Sequence, residues 1–180
     1  MTEAFAEAGE GLGAEAVQGF RASSQQRRLW ALGGHGSLAV AEVTLSLSGP
    51  LDRARLRRAF EALVARHEIL RTRFVVPPGL RYPLQVIDDG GSVQWEEGAV
   101  AVRPGIEPPG LSGGGPPPVG ARLLADGPGE HRLAVRLPAL AADGRTLDNL
   151  TRELAALYGL AGSSGDLEEP LQYADFAAWQ

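Results

Sequence analysis

The residues of this chain that could carry out chemistry are few and far apart in the sequence. There is no cysteine, which excludes thiolate catalysis, disulfides and cysteine metal sites. The three histidines, His35, His67 and His131, do not have the spacing of metal ligands. Ser23 and Ser24 have no neighbouring histidine, and the chain contains no Gly-x-Ser-x-Gly nucleophile elbow. Residue type and spacing alone therefore predict neither a nucleophilic triad nor a metal centre.

Two short segments have some of the residues of ligand-binding loops. Gly33-Gly34-His35-Gly36 is rich in glycine, but it lacks the lysine of a phosphate-binding loop. The pair at residues 88–89, Asp-Asp, could bind a cation, yet it precedes two glycines, and aspartate is common in such turns. We interpret both segments as structural.

The composition indicates an acidic globular domain. Of the 180 residues 44% are hydrophobic, and the formal net charge is -5. Arginines cluster between Arg53 and Arg73, but nucleic-acid-binding domains are usually basic, so we interpret this cluster as a solvated helix face. No apolar run approaches the roughly 20 residues of a membrane span, and the first residues do not resemble a secretory signal. We expect a cytoplasmic protein without a nucleic-acid or membrane partner.

Local patterns predict the helices that must position these residues. Ser23 and Gln26 have the spacing of a capping box, which predicts a short helix that ends at Gly33-Gly34. Asp52 can cap a second helix over residues 53–67. A third amphipathic helix is expected from Thr146 to residue 158, ended by a glycine, and residues 171–180 form a helix-like tail. The apolar stripe of the second helix consists of Leu56, Ala59, Phe60, Leu63 and Val64.

Alternating apolar residues predict strands within residues 38–48, 70–76, 83–87, 93–95, 121–125 and 131–137, with a hairpin turn at 126–129. Grouped strands with helices on one face predict an α+β sandwich built on a mixed β-sheet. Residues 1–21 read as a leader or linker, and residues 22–180 read as one domain. The proline- and glycine-rich stretch at 104–120 is expected to be a flexible surface loop inside that domain.

Two segments resemble signatures of the condensation domains of nonribosomal peptide synthetases. Residues 24–32 are similar to the first signature at Gln26, Leu29 and Trp30. Residues 66–74, Arg-His-Glu-Ile-Leu-Arg-Thr-Arg-Phe, match the second signature at every fixed position and follow a helix of the expected pattern. The tail at 173–179 is similar to the segment that leads out of the N-terminal lobe. The resemblance implies a chloramphenicol-acetyltransferase-like fold, of which residues 22–180 would form the N-terminal lobe.

The chain departs from this family at the third signature, His-His-x-x-x-Asp-Gly. The corresponding residues 138–144 read Pro-Ala-Leu-Ala-Ala-Asp-Gly, so Pro138 and Ala139 occupy the histidine positions. Neither side chain can exchange a proton, which removes the general acid or base that the resemblance implies. We therefore assign no catalytic residue, and no residue that binds a metal or cofactor.

The remaining signature residues are expected to be structural. The resemblance implies that Asp143 holds the loop, either by capping the next helix or by pairing with Arg66 or Arg71. Gly144 would permit a tight turn. We expect His67 to pack or hydrogen-bond within the second signature rather than to catalyse.

Three functional hypotheses follow from the resemblance. The favoured one is a truncated, inactive condensation-like lobe that serves as a scaffold or interaction module. The alternative is one half of a split condensation domain, which forms amide bonds when a second lobe completes it. An acyltransferase with an unconventional base is the third. Expected partners are a carrier protein, an adenylation domain or other synthetase domains, a second lobe, or another copy of the chain; phosphopantetheine would be carried by the carrier protein.

Overall fold

The computed structural model describes residues 19–32, 40–90, 93–99, 119–159 and 169–179. Two strand–helix pairs come first, and a 3-10 turn at Glu68–Arg71, five successive strands and two helices follow. The strands are β1 (Phe20–Arg21), β2 (Val40–Ser48), β3 (Thr72–Val75), β4 (Leu84–Ile87), β5 (Gln94–Ala99), β6 (Gly120–Gly127) and β7 (Glu130–Pro138). The helices are α1 (Ser24–Leu32), α2 (Arg53–Arg66), α3 (Gly144–Tyr158) and α4 (Tyr173–Trp179).

The described strands form two sheets. The larger has the order β2-β7-β6-β5, in which β5 and β6 are parallel and the other neighbours are antiparallel. The smaller has the order β1-β4-β3 and is antiparallel throughout. The larger sheet confirms the predicted mixed sheet and the α+β fold class, whereas the division into two sheets was not predicted.

Helices α2 and α3 pack against one face of the larger sheet. Leu133, Val135 and Leu137 on β7 are buried, while Arg132 and Arg136, which alternate with them, belong to the opposite face and are half-buried. The predicted apolar stripe of α2 is buried in full. The alternation on β2 is also confirmed, because its apolar residues are half-buried and its polar residues are exposed.

Local signals fix the ends of the two long helices. The Asp52 side chain accepts a hydrogen bond from the Arg55 N–H at 2.9 Å, which confirms it as the cap of α2. Gly159 ends α3 with a φ of 89°, in the left-handed region that favours glycine. Helix α3 begins at Gly144, two residues earlier than predicted, because Asp143 is its cap.

Other boundaries also differ from prediction. Leu70 and Arg71 belong to the 3-10 turn rather than to β3, since the Thr72 hydroxyl donates to the Glu68 carbonyl at 2.7 Å and closes that turn. Phe20–Arg21 pair with β4, so sheet structure begins before residue 22. Gly120 is the first residue of β6 rather than part of the loop.

Several predictions fall wholly or largely outside the described residues. They are the leader as far as residue 18, the helix stop at 33–34 with His35, and the loop from 104 to 118. In the ranges that the structure describes, no helix is long and apolar enough to cross a membrane.

Candidate functional site

The loop between β7 and α3, residues 138–143, is the candidate site, and we call it the β7–α3 loop. Pro138 is the last residue of β7, is fully buried, and pairs with Val40 of β2. Its carbonyl accepts a hydrogen bond from the Ala141 N–H at 2.8 Å, which forms a tight turn across Ala139 and Leu140. The side chains of this turn are a proline ring, two methyl groups and an isobutyl group, and none of them can donate or accept a proton.

Asp143 is the one ionisable residue of the loop, and the structure uses it to cap α3. Its Oδ1 accepts hydrogen bonds at 2.8 Å from both the backbone N–H and the hydroxyl of Thr146. These two bonds hold the pKa of the Asp143 carboxyl below its ordinary value, and the bond from the backbone N–H has the larger effect. Gly144 follows without a left-handed φ and with open space where a Cβ would lie, so nothing in the local backbone requires glycine.

Gln26 of α1 is hydrogen-bonded to the β7–α3 loop. Its Nε2 donates to the Leu140 carbonyl and to Oε1 of Gln85, each at 3.1 Å. Its Oε1 accepts from the Ser23 N–H at 2.8 Å, and Ser23 Oγ accepts from the Gln26 N–H at 3.2 Å, which confirms the predicted capping box. Gln26 and Gln85 are only 1% and 0% exposed, so this network is fully inside the protein.

The contact between Gln26 and the loop was missed by sequence reasoning. A capping box uses only the side-chain oxygen of a glutamine, whereas its amide nitrogen carries two further donors. A glutamine that is buried must find acceptors for those donors. That requirement predicts a second partner for Gln26, but not which one, because Leu140 lies 114 residues away in the chain.

The second signature meets α3 at a single carboxylate. Glu153 accepts from Arg66 Nε at 2.7 Å and lies 2.6 Å from His67 Nε2. Burial acts to raise the pKa of Glu153, but the hydrogen bonds and positive charges of His67 and Arg66 outweigh it and hold that pKa below its ordinary value. His67 therefore hydrogen-bonds as expected.

The predicted pairing of Asp143 with an arginine is not what the structure shows. Arg66 is engaged by Glu153, and Arg71 donates to the Asp88 carbonyl at 2.7 Å and lies 3.6 Å from Glu68. The reason is local, because an aspartate at a helix N-cap already has a donor three residues ahead.

Other residues of the second signature hold neighbouring chain segments. Arg73 Nε donates to the Asp88 carboxylate at 2.6 Å, which accounts for one of the two aspartates considered as a cation site. Gln172, just before α4, donates to the Arg66 carbonyl and accepts from the Glu68 N–H. Among the described residues, no group of three or more histidine, aspartate or glutamate side chains could hold a metal ion.

Both histidines in the described ranges lie far from the β7–α3 loop. His67 contacts Glu153, which is ten residues along α3 from Asp143, or about 15 Å at 1.5 Å per residue. His131 precedes Pro138 by seven residues on β7, or about 23 Å at 3.3 Å per residue. Both imidazoles therefore lie toward the ends of these elements that are far from the loop.

Comparison with known proteins gives the family. The family model described as Condensation domain matches residues 18–103. A protein of Salinispora arenicola described as a probable nonribosomal peptide synthetase, CymA, is 36% identical over 171 residues, which is 87% of this chain. The dimodular nonribosomal peptide synthase of Bacillus subtilis is 35% identical over 176 residues, which is 88% of this chain. The chain belongs to the condensation-domain family. It spans only 2% and 7% of the lengths of these two relatives.

Solved condensation-family structures agree with the fold. The X-domain from teicoplanin biosynthesis, in its complex with OxyB, superimposes with a TM-score of 0.65 at 28% identity, over 97% of this chain and 41% of that chain. The condensation domain of the Monacolin K polyketide synthase MokA gives a TM-score of 0.67 at 24% identity, over 87% of this chain and 37% of that one, and shows the fold alone. The chain thus has the size of a single lobe of the condensation fold.

Proposed function

We propose that this chain is a catalytically inactive condensation lobe that serves as a scaffold or interaction module in nonribosomal peptide synthesis. The observation that carries the proposal is the pair Pro138 and Ala139, which stand where the family resemblance places two histidines. A general acid or base contributes typically 10²–10⁴-fold in rate, and neither a proline ring nor a methyl group can supply it.

The remaining polar groups of the loop support this proposal. The Asp143 carboxylate is bound to the first turn of α3, and a lowered pKa keeps it ionised there rather than poised to take up a proton. The buried Gln26 amide still supports the Leu140 carbonyl. The loop therefore keeps its supports and lacks the side chains that would react, which is the pattern expected of a lobe retained for its shape.

The partners of such a lobe would be a carrier protein, an adenylation domain or other synthetase domains. Phosphopantetheine would arrive on the carrier protein, and the lobe itself would bind no cofactor. The X-domain, which shares this fold, is described in complex with OxyB. That complex supports a role for a condensation-type fold as a docking platform. We propose no nucleic-acid or membrane partner.

One observation favours a second candidate, a split condensation domain. The chain corresponds to 34–41% of the solved condensation-family chains it matches, so a second lobe could sit against it. Another chain would provide this lobe and the missing base, and the amide bond would then form between two carrier-bound substrates. A second copy of this chain could not serve, since it would bring the same Pro138 and Ala139.

The experiment that tests the proposal measures binding and chemistry on the same samples. The purified chain is mixed with donor-loaded and acceptor-loaded carrier proteins and with the neighbouring synthetase domains. Calorimetry follows binding, and intact-protein mass spectrometry follows transfer of the donor to the acceptor. Saturable binding without transfer supports the scaffold. Transfer above a carrier-only background contradicts inactivity, and absence of binding to every synthetase domain contradicts the scaffold role.

A further inference from the structure

A cavity of about 460 Å³ lies between the edge strand β2 and the helices α2 and α3. Small-molecule sites commonly have volumes of about 300–1,000 Å³. The cavity is lined by β2 residues 44–48, whereas the β7–α3 loop meets the other end of that strand, where Val40 pairs with Pro138. The cavity is therefore separate from the candidate site.

Leucine is the most frequent residue in the cavity wall, at six of its fourteen residues. Leu133 and Leu154 in the wall are buried, but Leu45 and Leu47 on β2 stay half-exposed and border the open space. Burial of apolar surface stabilises a complex by about 25 cal/mol per Å², so an aliphatic chain that covers these leucines would bind favourably. The wall alone selects an apolar ligand without specifying its polar end.

The hydroxyl of Tyr158 on α3 and the guanidinium of Arg55 on α2 indicate which polar group such a ligand would carry. Tyr158 lines the cavity, and its hydroxyl oxygen accepts a hydrogen bond from the Asp52 N–H at 3.0 Å. The hydroxyl proton has no acceptor among the described residues, so it remains available to a ligand. The Arg55 guanidinium is not part of the cavity wall, but it lies over the ring of Tyr158, 5.2 Å from its centroid.

Two arginines near Arg55 on α2 are paired with carboxylates. Arg53 pairs with Glu97 at 3.6 Å, and Arg57 pairs with Glu61 at 2.8 Å. Within the ranges that the structure describes, no carboxylate lies within ion-pair distance of Arg55. The guanidinium that covers the Tyr158 ring and the hydroxyl of the same ring can each donate a hydrogen bond to a carboxylate.

We propose that this cavity binds a linear fatty acid, with the aliphatic chain against Leu45 and Leu47 and the carboxylate at Tyr158 and Arg55. The ligand is a free acid rather than a thioester or an alcohol, because only the acid carries the negative charge that Arg55 would bind. The proposal does not depend on the loss of amide-bond chemistry at the β7–α3 loop.

The test compares sodium octanoate with octan-1-ol, which has the same chain without the charge, by titration calorimetry of the full chain. We expect octanoate to bind about tenfold more tightly, because a hydrogen bond to a charged group contributes about that factor. Arg55→Ala should reduce octanoate affinity to that of octan-1-ol. The matched control Arg58→Ala, at an exposed arginine on the same helix that does not lie over the Tyr158 ring, should leave it unchanged.

A second pair of variants tests the location. Ala155→Trp places a large ring in the cavity wall, and Ala62→Trp places the same ring on the exposed side of α2. Octanoate binding should be lost only in Ala155→Trp, with the circular dichroism spectra of both variants unchanged. No octanoate binding by the unmodified chain, or unchanged binding by Ala155→Trp, would overturn the proposal. Equal affinities for octanoate and octan-1-ol would overturn the carboxylate site.

Discussion

At the residue scale, the signature residues of this lobe act through hydrogen bonds that join distant parts of the chain. Glu153 binds both Arg66 and His67, and Asp143 binds only the first turn of its own helix. Both carboxyl pKa values are lowered, so both groups are more stable as carboxylates in the folded protein than in the unfolded chain. These residues therefore contribute to stability rather than to proton transfer.

Removal of the Glu153 charge should weaken the junction between α3 and the second signature. Glu153→Gln keeps the shape but loses charge-assisted hydrogen bonds, so we expect the free energy of unfolding to fall by about 1.5 kcal/mol in urea denaturation at neutral pH. Glu61→Gln is the control, because an exposed i,i+4 pair such as Arg57–Glu61 contributes only about 0.3–0.5 kcal/mol. An equal loss in both variants would contradict this role of Glu153.

The unmodified chain and Glu153→Gln should differ less in unfolding free energy at acidic pH. Because the folded-state pKa of Glu153 lies below its ordinary value of 4.5, its contribution is fully present above that value and is lost as the pH falls through the folded-state pKa. The difference in unfolding free energy between the unmodified chain and Glu153→Gln should therefore shrink when urea titrations are repeated below pH 4.5. A difference that is constant or grows in acid would show that the lowered pKa is wrong.

Asp143 should behave as a helix cap and nothing more. Asp143→Ala should lower the free energy of unfolding by about 0.5–2 kcal/mol, while Asp143→Asn, which can still accept from Thr146, should lose much less. Thermal and urea unfolding measure both variants. Equal losses for alanine and asparagine would indicate that the carboxylate charge, rather than the cap, is what matters.

At the element scale, α1 and β4 together support the β7–α3 loop. Gln26 of α1 binds the Leu140 carbonyl and Gln85 of β4, and Gln85 in turn donates to the Arg21 carbonyl of β1 at 2.9 Å. The Tyr173 hydroxyl of α4 lies 2.9 Å from Ser23 Oγ at the start of α1. The first signature thus holds the third-signature loop, although the two are far apart in the sequence.

Loss of the Gln26 amide should loosen that loop. Gln26→Leu leaves the Leu140 carbonyl, the Gln85 oxygen and the Ser23 N–H unpaired in the interior, so we expect a loss of about 2–3 kcal/mol. Hydrogen exchange of a peptide covering residues 139–143 should become faster. Gln25→Leu, an exposed neighbour on the same helix, is the control. Unchanged exchange in Gln26→Leu would mean that other contacts hold the loop.

At the scale of the whole molecule, the sequence predicted what depends on neighbouring residues. The cap at Asp52, the stop at Gly159 and the apolar stripe that includes Phe60 all follow from spacings of one helical turn, and the structure confirms them. The parallel pairing of β5 with β6 and the separation into two sheets depend on contacts between distant segments, which local patterns do not encode.

The same distinction between local and long-range features applies to the candidate site. The sequence located the β7–α3 loop, and the helix cap at Asp143 was one of two roles predicted for that residue. The partner of Arg66 was not predicted, because nothing in the spacing of Glu153 distinguishes it from Asp148, the other carboxylate of α3. The support from Gln26 was also missed, since it spans 114 residues and depends on the packing of α1 under the loop.

The central claim, that this lobe does no amide-bond chemistry of its own, is tested most directly by product formation. The unmodified chain, Ala139→His and Ala142→His are each incubated with donor-loaded and acceptor-loaded carrier proteins, and intact-protein mass spectrometry measures the acylated acceptor. We predict that the unmodified chain and Ala142→His stay at the carrier-only background, and that any gain is confined to Ala139→His. Acylated acceptor above that background with the unmodified chain would contradict the account.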